Sequence, residues 1–195
     1  MSLAAEQATS TAVLKVAIIV GTTRPGRKAD AVAQWVKGIA EARTDAAFEV
    51  VDIADYALPH MDEPVPPRGA QGYSQPHTRA WAEKIGSFDA YVFVTPEYNG
   101  SFPGVLKDAV DFLFTEWSGK AAGFVGYGFG GGARSVAHLR QVLTSVEITG
   151  VPSAVELNFN GDFEEMTRFT PRDSQEKSVV VMLDELVAKG AELKG

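Results

Sequence analysis

Val16-Ala17-Ile18-Ile19-Val20, followed by Gly21-Thr22-Thr23-Arg24-Pro25-Gly26-Arg27-Lys28, is the stretch whose reading decides the fold. The continuous apolar run reads as a strand buried on both faces. A short turn follows, and Val32, Val36 and Ile39 then recur at helical spacing. Strand, tight loop and helix in that order leave backbone N–H groups free at the helix start, where the dipole favours an anion. Arg24, Arg27 and Lys28 concentrate positive charge there, in a chain of net charge −7. Cations are misplaced at the positive end of a helix unless they serve a negative ligand. The loop therefore reads as a phosphate cradle. Thr22 and Arg24 are expected to contact phosphoryl oxygens, with Arg27 and Lys28 at the entrance. The plainer alternative is a basic surface turn. The Gly-Lys-Ser/Thr ending of a Walker loop is absent, which argues against a kinase or NTPase.

The same alternation continues along the chain. Strands are expected at 14–20, 48–53, 90–95, 121–127 and 153–157. Helices are expected at about 28–42 and 74–87, from Pro103 onward, and at 133–146. A last one carries Val179, Leu183, Leu186 and Val187. Strands each followed by a helix predict an α/β fold with a parallel sheet and helices on both faces. Ligands of such sheets bind beyond the carboxyl ends of the strands, so the loops after the first, third and fourth strands are the place to look. Two irregular stretches interrupt the pattern, 54–73 and 158–172. The first is too long for a simple connection and is expected to be a functional loop near a site or an interface.

The loop after the third strand is Thr95-Pro96-Glu97-Tyr98-Asn99-Gly100-Ser101-Phe102-Pro103. Two prolines stiffen it, and Asn99-Gly100 suits left-handed conformations that expose backbone amides. It reads either as a rigid platform for a flat polar ring, flanked by Tyr98 or Phe102, or as a tight turn with a helix cap. The loop after the fourth strand, Gly126-Tyr127-Gly128-Phe129-Gly130-Gly131-Gly132-Ala133-Arg134, formally matches the dinucleotide fingerprint, with Glu147 about 20 residues on. That acidic residue falls in or just after a helix and not at the end of the next strand. The better reading is a glycine path that lets backbone approach a ligand edge.

Composition bounds the chemistry. At 195 residues and 45% hydrophobic the chain is one ordinary globular domain. Residues 13–195 are expected to form it, with 1–12 a disordered extension. No apolar run approaches the roughly 20 residues that span a bilayer, and the start lacks a basic signal-peptide region, so a soluble cytoplasmic protein without a membrane partner is expected. The acidic balance argues against nucleic acid. With no cysteine, redox chemistry must come from a bound cofactor. His60, His77 and His138 are far apart in sequence, and no metal site is expected. His138 reads as a surface or interface residue, Trp117 as packing at an interface, and Asp108 and Asp111 beside Lys107 as a solvated face.

Taken together, the loops resemble the NADPH-dependent FMN reductase family, flavodoxin-like proteins that include quinone, azo-dye and chromate reductases. The likeness rests on Gly21-Thr22-Thr23-Arg24 with Arg27 and, above all, on Pro96-Glu97-Tyr98-Asn99-Gly100-Ser101 leading into Pro103-Gly104-Val105-Leu106-Lys107-Asp108-Ala109. Weaker support comes from Glu116-Trp117-Ser118-Gly119-Lys120 and from Gly130-Gly131-Gly132-Ala133-Arg134 with His138-Leu139-Arg140. The resemblance covers about residues 14–150. It implies a flavodoxin-like three-layer sandwich with a five-stranded parallel sheet in order 2-1-3-4-5 and non-covalent FMN. It puts the phosphate loop on Thr22, Arg24, Arg27 and Lys28, the ring platform on Pro96, Glu97, Tyr98 and Asn99, and the other side of the ring on the loop containing Gly128 and Gly131. Gly126 stands where the family commonly has a hydroxyl residue. The implied activity is two-electron transfer from NADPH or NADH through FMN to a quinone or other small acceptor, in a homodimer or homotetramer. No side-chain catalyst is required, because the cofactor carries the chemistry. A non-enzymatic flavin carrier and a Rossmann-type NAD protein are the alternatives.

Overall fold

The computed structural model describes residues 13–195; the expected extension, 1–12, lies outside the described residues. The elements are β1 (Leu14–Val20), α1 (Ala29–Ala40), β2 (Ala46–Asp52), a single 3-10 turn (Ile53–Tyr56), α2 (Pro76–Gly86), β3 (Ala90–Pro96), α3 (Gly104–Asp111), β4 (Ala121–Gly128), α4 (Ala133–Ser145), β5 (Thr149–Asn158), a hairpin β6 (Phe163–Glu164) and β7 (Arg168–Phe169), and α5 (Asp173–Lys194). Five strands form one sheet in the order β2-β1-β3-β4-β5, and every pairing is parallel. The switch point lies between β1 and β3, which carry the first and third loops.

The two-residue period of a strand explains why the central runs are apolar throughout. Val16, Ile18 and Val20 of β1, with Val92 and Val94 of β3, face the helices α1 and α5. Ala17 and Ile19, with Tyr91 and Phe93, face α2, α3 and α4. Trp117 belongs to this second core. It is fully buried, meets Tyr91 at 4.8 Å and donates its indole N–H to the Val110 carbonyl at 3.1 Å. It is core packing, not the interface packing expected from its sequence context.

β5 begins at Thr149, four residues ahead of the expected 153. Gly150 and Pro152 are poor strand formers, but β5 is the sheet's edge, where proline is tolerated. The register with β4 shifts between Ala122 and Phe124, beside Gly150. The stretch 158–172, read as irregular, contains the β6–β7 hairpin. Pro103 is the residue before α3 and not its first.

The segment 54–73 is strapped across the α2–α4 face. The Glu63 carboxylate accepts from the Ser74 amide (3.0 Å), the Ser74 hydroxyl (2.6 Å) and the Gln75 amide (2.9 Å), supplying acceptors at the start of α2. Partial burial works against its charge, yet these donors from Ser74 and Gln75 outweigh it and lower its pKa from 4.5 to about 2. Arg68 lies 4.0 Å over the Phe114 ring and donates to the Ser145 carbonyl at 3.0 Å. Among the described residues no helix is long and apolar enough to cross a membrane.

Candidate functional site

The loops after β1, β3 and β4 line one cavity of about 730 Å³ at the carboxyl end of the sheet. That volume lies within the range typical of small-molecule sites. Of the residues singled out in the sequence, Arg24, Arg27, Lys28, Pro96, Glu97, Tyr98, Asn99 and Gly128 line it; Thr22 and Gly131 do not, and neither does any residue of 54–73.

The cationic loop divides its charges between two jobs. Arg27 donates to both Asp30 oxygens at 2.9 and 3.1 Å, to the Thr22 carbonyl at 2.8 Å, and to Asp52 at the end of β2. Burial works against its charge, but the hydrogen bond to Asp30 and the charges of Asp52 and Asp30 more than restore it, and the guanidinium is held above its ordinary pKa. Arg27 is thus an internal brace whose charge is already balanced. Arg24 and Lys28 have no carboxylate partner among the described residues, so they carry the loop's surplus positive charge. Lys28 is the residue before α1, and its own side chain does not cap that helix.

Thr22 is buried, 1% exposed, and its hydroxyl lies 3.0 Å from the Tyr98 hydroxyl, with the Arg24 amide at 3.4 Å. This contact ties the first loop to the third. Beside it Tyr127, at the end of β4, is 3% exposed. Burial raises the pKa of its phenol, and the Lys28 and Ala29 amides face its oxygen.

The third loop is fixed from several sides. The Pro96 carbonyl accepts from the Ser135 hydroxyl at 2.8 Å and from the Thr95 hydroxyl at 3.0 Å, both buried. The Glu97 amide donates to the Tyr127 carbonyl at 3.0 Å. Tyr98 and Ser101 exchange backbone bonds at 2.8 and 3.1 Å around Asn99 (φ 51°) and Gly100 (φ 83°). Both central residues of this turn are left-handed, which is why the pair is Asn-Gly. The Asn99 and Gly100 amides have no acceptor among the described residues, so the turn presents two free donors on a rigid frame. Arg134, at the start of α4, closes an ion pair with Glu97, and His138 reaches Ser101 at 3.2 Å.

In the fourth loop Gly126 and Gly132 serve the protein's own packing. A Cβ on Gly132 would stand 2.5 Å from the Tyr127 amide nitrogen, and one on Gly126 would stand 2.8 Å from the Gly131 carbonyl. The loop folds back onto β4, and no side chain fits between. Gly131 turns toward Glu156 in a neighbouring depression, away from the main cavity. Gly128, which does line the cavity, backs onto Glu97. Glu147, the acidic residue of the formal dinucleotide match, follows α4. It bonds Ser118 at 2.6 Å, and its carbonyl accepts from Gly119 just ahead of β4, away from the strand ends that hold the loops.

Sequence reasoning gave no ligand role to Tyr127, Phe129, Phe159 or Met166, all of which line the cavity. Phe159 and Met166 lie in the stretch without periodicity. The donor set fits a ligand with an anionic tail and a flat polar ring: two unpaired cations at the start of α1 at one end, and free amides on a rigid turn at the other.

Comparison with known proteins agrees. The model of the family described as NADPH-dependent FMN reductase matches residues 14–162. A NAD(P)H-dependent FMN reductase of Schizosaccharomyces pombe is 38% identical over 149 residues, covering 76% of this chain and 74% of that one. A 2-hydroxy-1,4-benzoquinone reductase of Burkholderia sp is 32% identical, covering 69% and 73%. A solved structure, the flavoenzyme NAD(P)H:(acceptor) oxidoreductase of Paracoccus denitrificans, aligns over 92% of this chain and 98% of its own with a TM-score of 0.72 and 25% identity.

Proposed function

This chain belongs to the NADPH-dependent FMN reductase family, and on that premise we propose that it passes two electrons from NADPH or NADH, by way of non-covalently bound FMN, to a small quinone-like acceptor in a ping-pong cycle. The observation that carries the reading is the junction, in one cavity, of an unpaired cationic end with a rigid platform bearing free amides. When bound, FMN supplies the hydride chemistry that no side chain of this cysteine-free protein provides.

The remaining work falls to the protein. Arg24 and Lys28, with the start of α1, hold the phosphate. Thr22 and Arg27 keep that loop in shape, the first through Tyr98 and the second through Asp30 and Asp52. Pro96, Glu97, Tyr98 and Asn99 form the ring platform, and the Asn99–Gly100 amides donate to ring acceptors. Gly128 offers backbone to the ring's other side, while Gly131 acts in folding the loop that carries it. Two free donors held in fixed positions stabilise added negative charge without reorganising.

A quinone and a nicotinamide that use the same cavity exclude each other. Steady-state rates measured at several fixed quinone concentrations are therefore expected to give parallel double-reciprocal lines. Lines that intersect would show both substrates bound at once and contradict the shared site. Assembly into a homodimer or homotetramer belongs to the same reading.

A further inference from the structure

The floor of the cavity is polar, but one side of its mouth is not. Phe129 and Met166 are 66% and 51% exposed, unusually open for large apolar side chains, and both line the cavity together with Phe159. Phe129 meets Phe159 edge to face at 5.2 Å. From Phe159 a ladder of rings runs inward, to Phe163 at 5.0 Å, then Phe169 at 5.1 Å, then Trp35 of α1 at 5.3 Å. The apolar mouth is thus the outer end of a packed column.

The hairpin that carries this column is built to hold still. At its base the buried Asp162 carboxylate accepts from the Arg172 guanidinium (twice, at 2.9 Å), the Arg172 amide (3.1 Å), the Asn158 amide (2.8 Å) and Gln175 (3.2 Å). At its tip Glu165 (φ 48°) and Met166 (φ 55°) are both left-handed. Asparagine and glycine are the residues that fit such a turn, and each non-glycine residue there is strained. A strained position that persists beside a cavity suggests that its side chain has a use there. The β6–β7 pairing and the bond from the Thr167 amide to the Glu164 carbonyl (2.9 Å) hold Met166 at the mouth despite that strain.

We propose that Phe129, Phe159 and Met166 form a shelf that holds the fused aromatic ring of the electron acceptor, and that they set a preference for bicyclic over monocyclic quinones. This rests on the function proposed above. The shelf carries no charge. Aromatic edges and a polarisable, flexible thioether suit a flat ring of variable outline, and a second fused ring extends the surface available to them. The overall exchange is that of the family. The quinone's two carbonyl oxygens gain two electrons and two protons, NAD(P)H gives up a hydride, and solvent supplies the second proton.

Two variants test the shelf, Met166→Gly and Phe129→Ala. The first removes the thioether and relieves the turn, so its melting temperature should not fall. Two readouts apply. One is the ratio of kcat/KM for 1,4-naphthoquinone to that for 1,4-benzoquinone. The other is the dissociation constant of 2-naphthol, used as a ring that is not a quinone. Each variant is expected to lower the ratio about 10-fold and to weaken naphthol binding by a similar factor, as loss of apolar pocket surface commonly does. A ratio and a naphthol affinity that both match the unsubstituted protein would overturn the shelf. If neither quinone were reduced by any form, the function proposed above would fail on its own, and naphthol would decide alone. Tighter binding by the unsubstituted protein would uphold the shelf, and equal binding would overturn it.

Discussion

Replacing Arg24 and Lys28 together by alanine is expected to weaken FMN binding about 100-fold, with little change in the melting temperature. The reason is the division of charge within the first loop. Neither side chain has a carboxylate partner among the described residues, so neither contributes an ion pair to the fold. A hydrogen bond to a charged group is worth about 1.5–3 kcal/mol, and two such bonds at a partly exposed site come to about 3 kcal/mol. Because the contacts are ionic and open to solvent, raised salt should weaken the unsubstituted protein more than the double variant. Arg27→Ala should behave in the opposite sense, since it strips Asp30 and Asp52 of their partner and loosens the loop itself. Fluorescence titration of FMN at two salt concentrations, alongside thermal unfolding, separates the two kinds of arginine. Undiminished FMN affinity in a folded Arg24/Lys28 double variant would remove the phosphate cradle from the account.

Gly132→Ala should bring the largest loss of stability among single changes at the site. Its φ of 77° is costly for any residue with a Cβ, and that Cβ would stand 2.5 Å from the Tyr127 nitrogen and 2.7 Å from the Gly126 carbonyl carbon. Both obstacles are backbone and cannot swing aside. Left-handed strain of about 1–2 kcal/mol adds to overpacking of about 1–3 kcal/mol, giving a loss near 3 kcal/mol. For a domain of this size that lowers the melting temperature by roughly 6–12 °C. Gly130→Ala is the control. Nothing lies within 4 Å of its added Cβ, and its φ is unexceptional. It should shift stability by no more than about 0.5 kcal/mol. Equal melting temperatures for the two variants would contradict the close packing of the fourth loop on β4.

The fold was legible because its signals are periodic. Buried parallel strands such as β1 and β3 are apolar along their whole length, and the helices between them carry stripes at three- and four-residue spacing. Legibility failed where the local signal pointed the other way. Gly150 and Pro152 are poor strand formers, yet an edge strand accepts them. Glu165 and Met166 lack the asparagine or glycine that marks a hairpin turn, so β6 and β7 went unseen, and with them Met166 of the shelf.

The site was legible in outline for a different reason. Asn99-Gly100 between stiffening prolines encodes its own geometry locally. The roles of Thr22 and Arg27 are not local. The partner of Thr22 is 76 residues away in Tyr98, and one partner of Arg27 is Asp52 at the end of the next strand. Side-chain type alone made all three cations look equivalent. Only the fold shows that one is spent on carboxylates and two are not. In the glycine run, Gly126 and Gly132 also answer a steric demand where the loop folds onto β4, which a local reading does not reveal.

The central claim is that this cavity holds FMN and exposes it to a reduced nicotinamide. The visible absorption spectrum of the purified protein, supplemented with FMN and freed of excess by gel filtration, tests it most directly. The account predicts flavin bands that travel with the protein, bleach under anaerobic addition of NADPH and return when a quinone is added. A colourless protein after that treatment, or retained FMN that neither NADPH nor NADH bleaches, would contradict it.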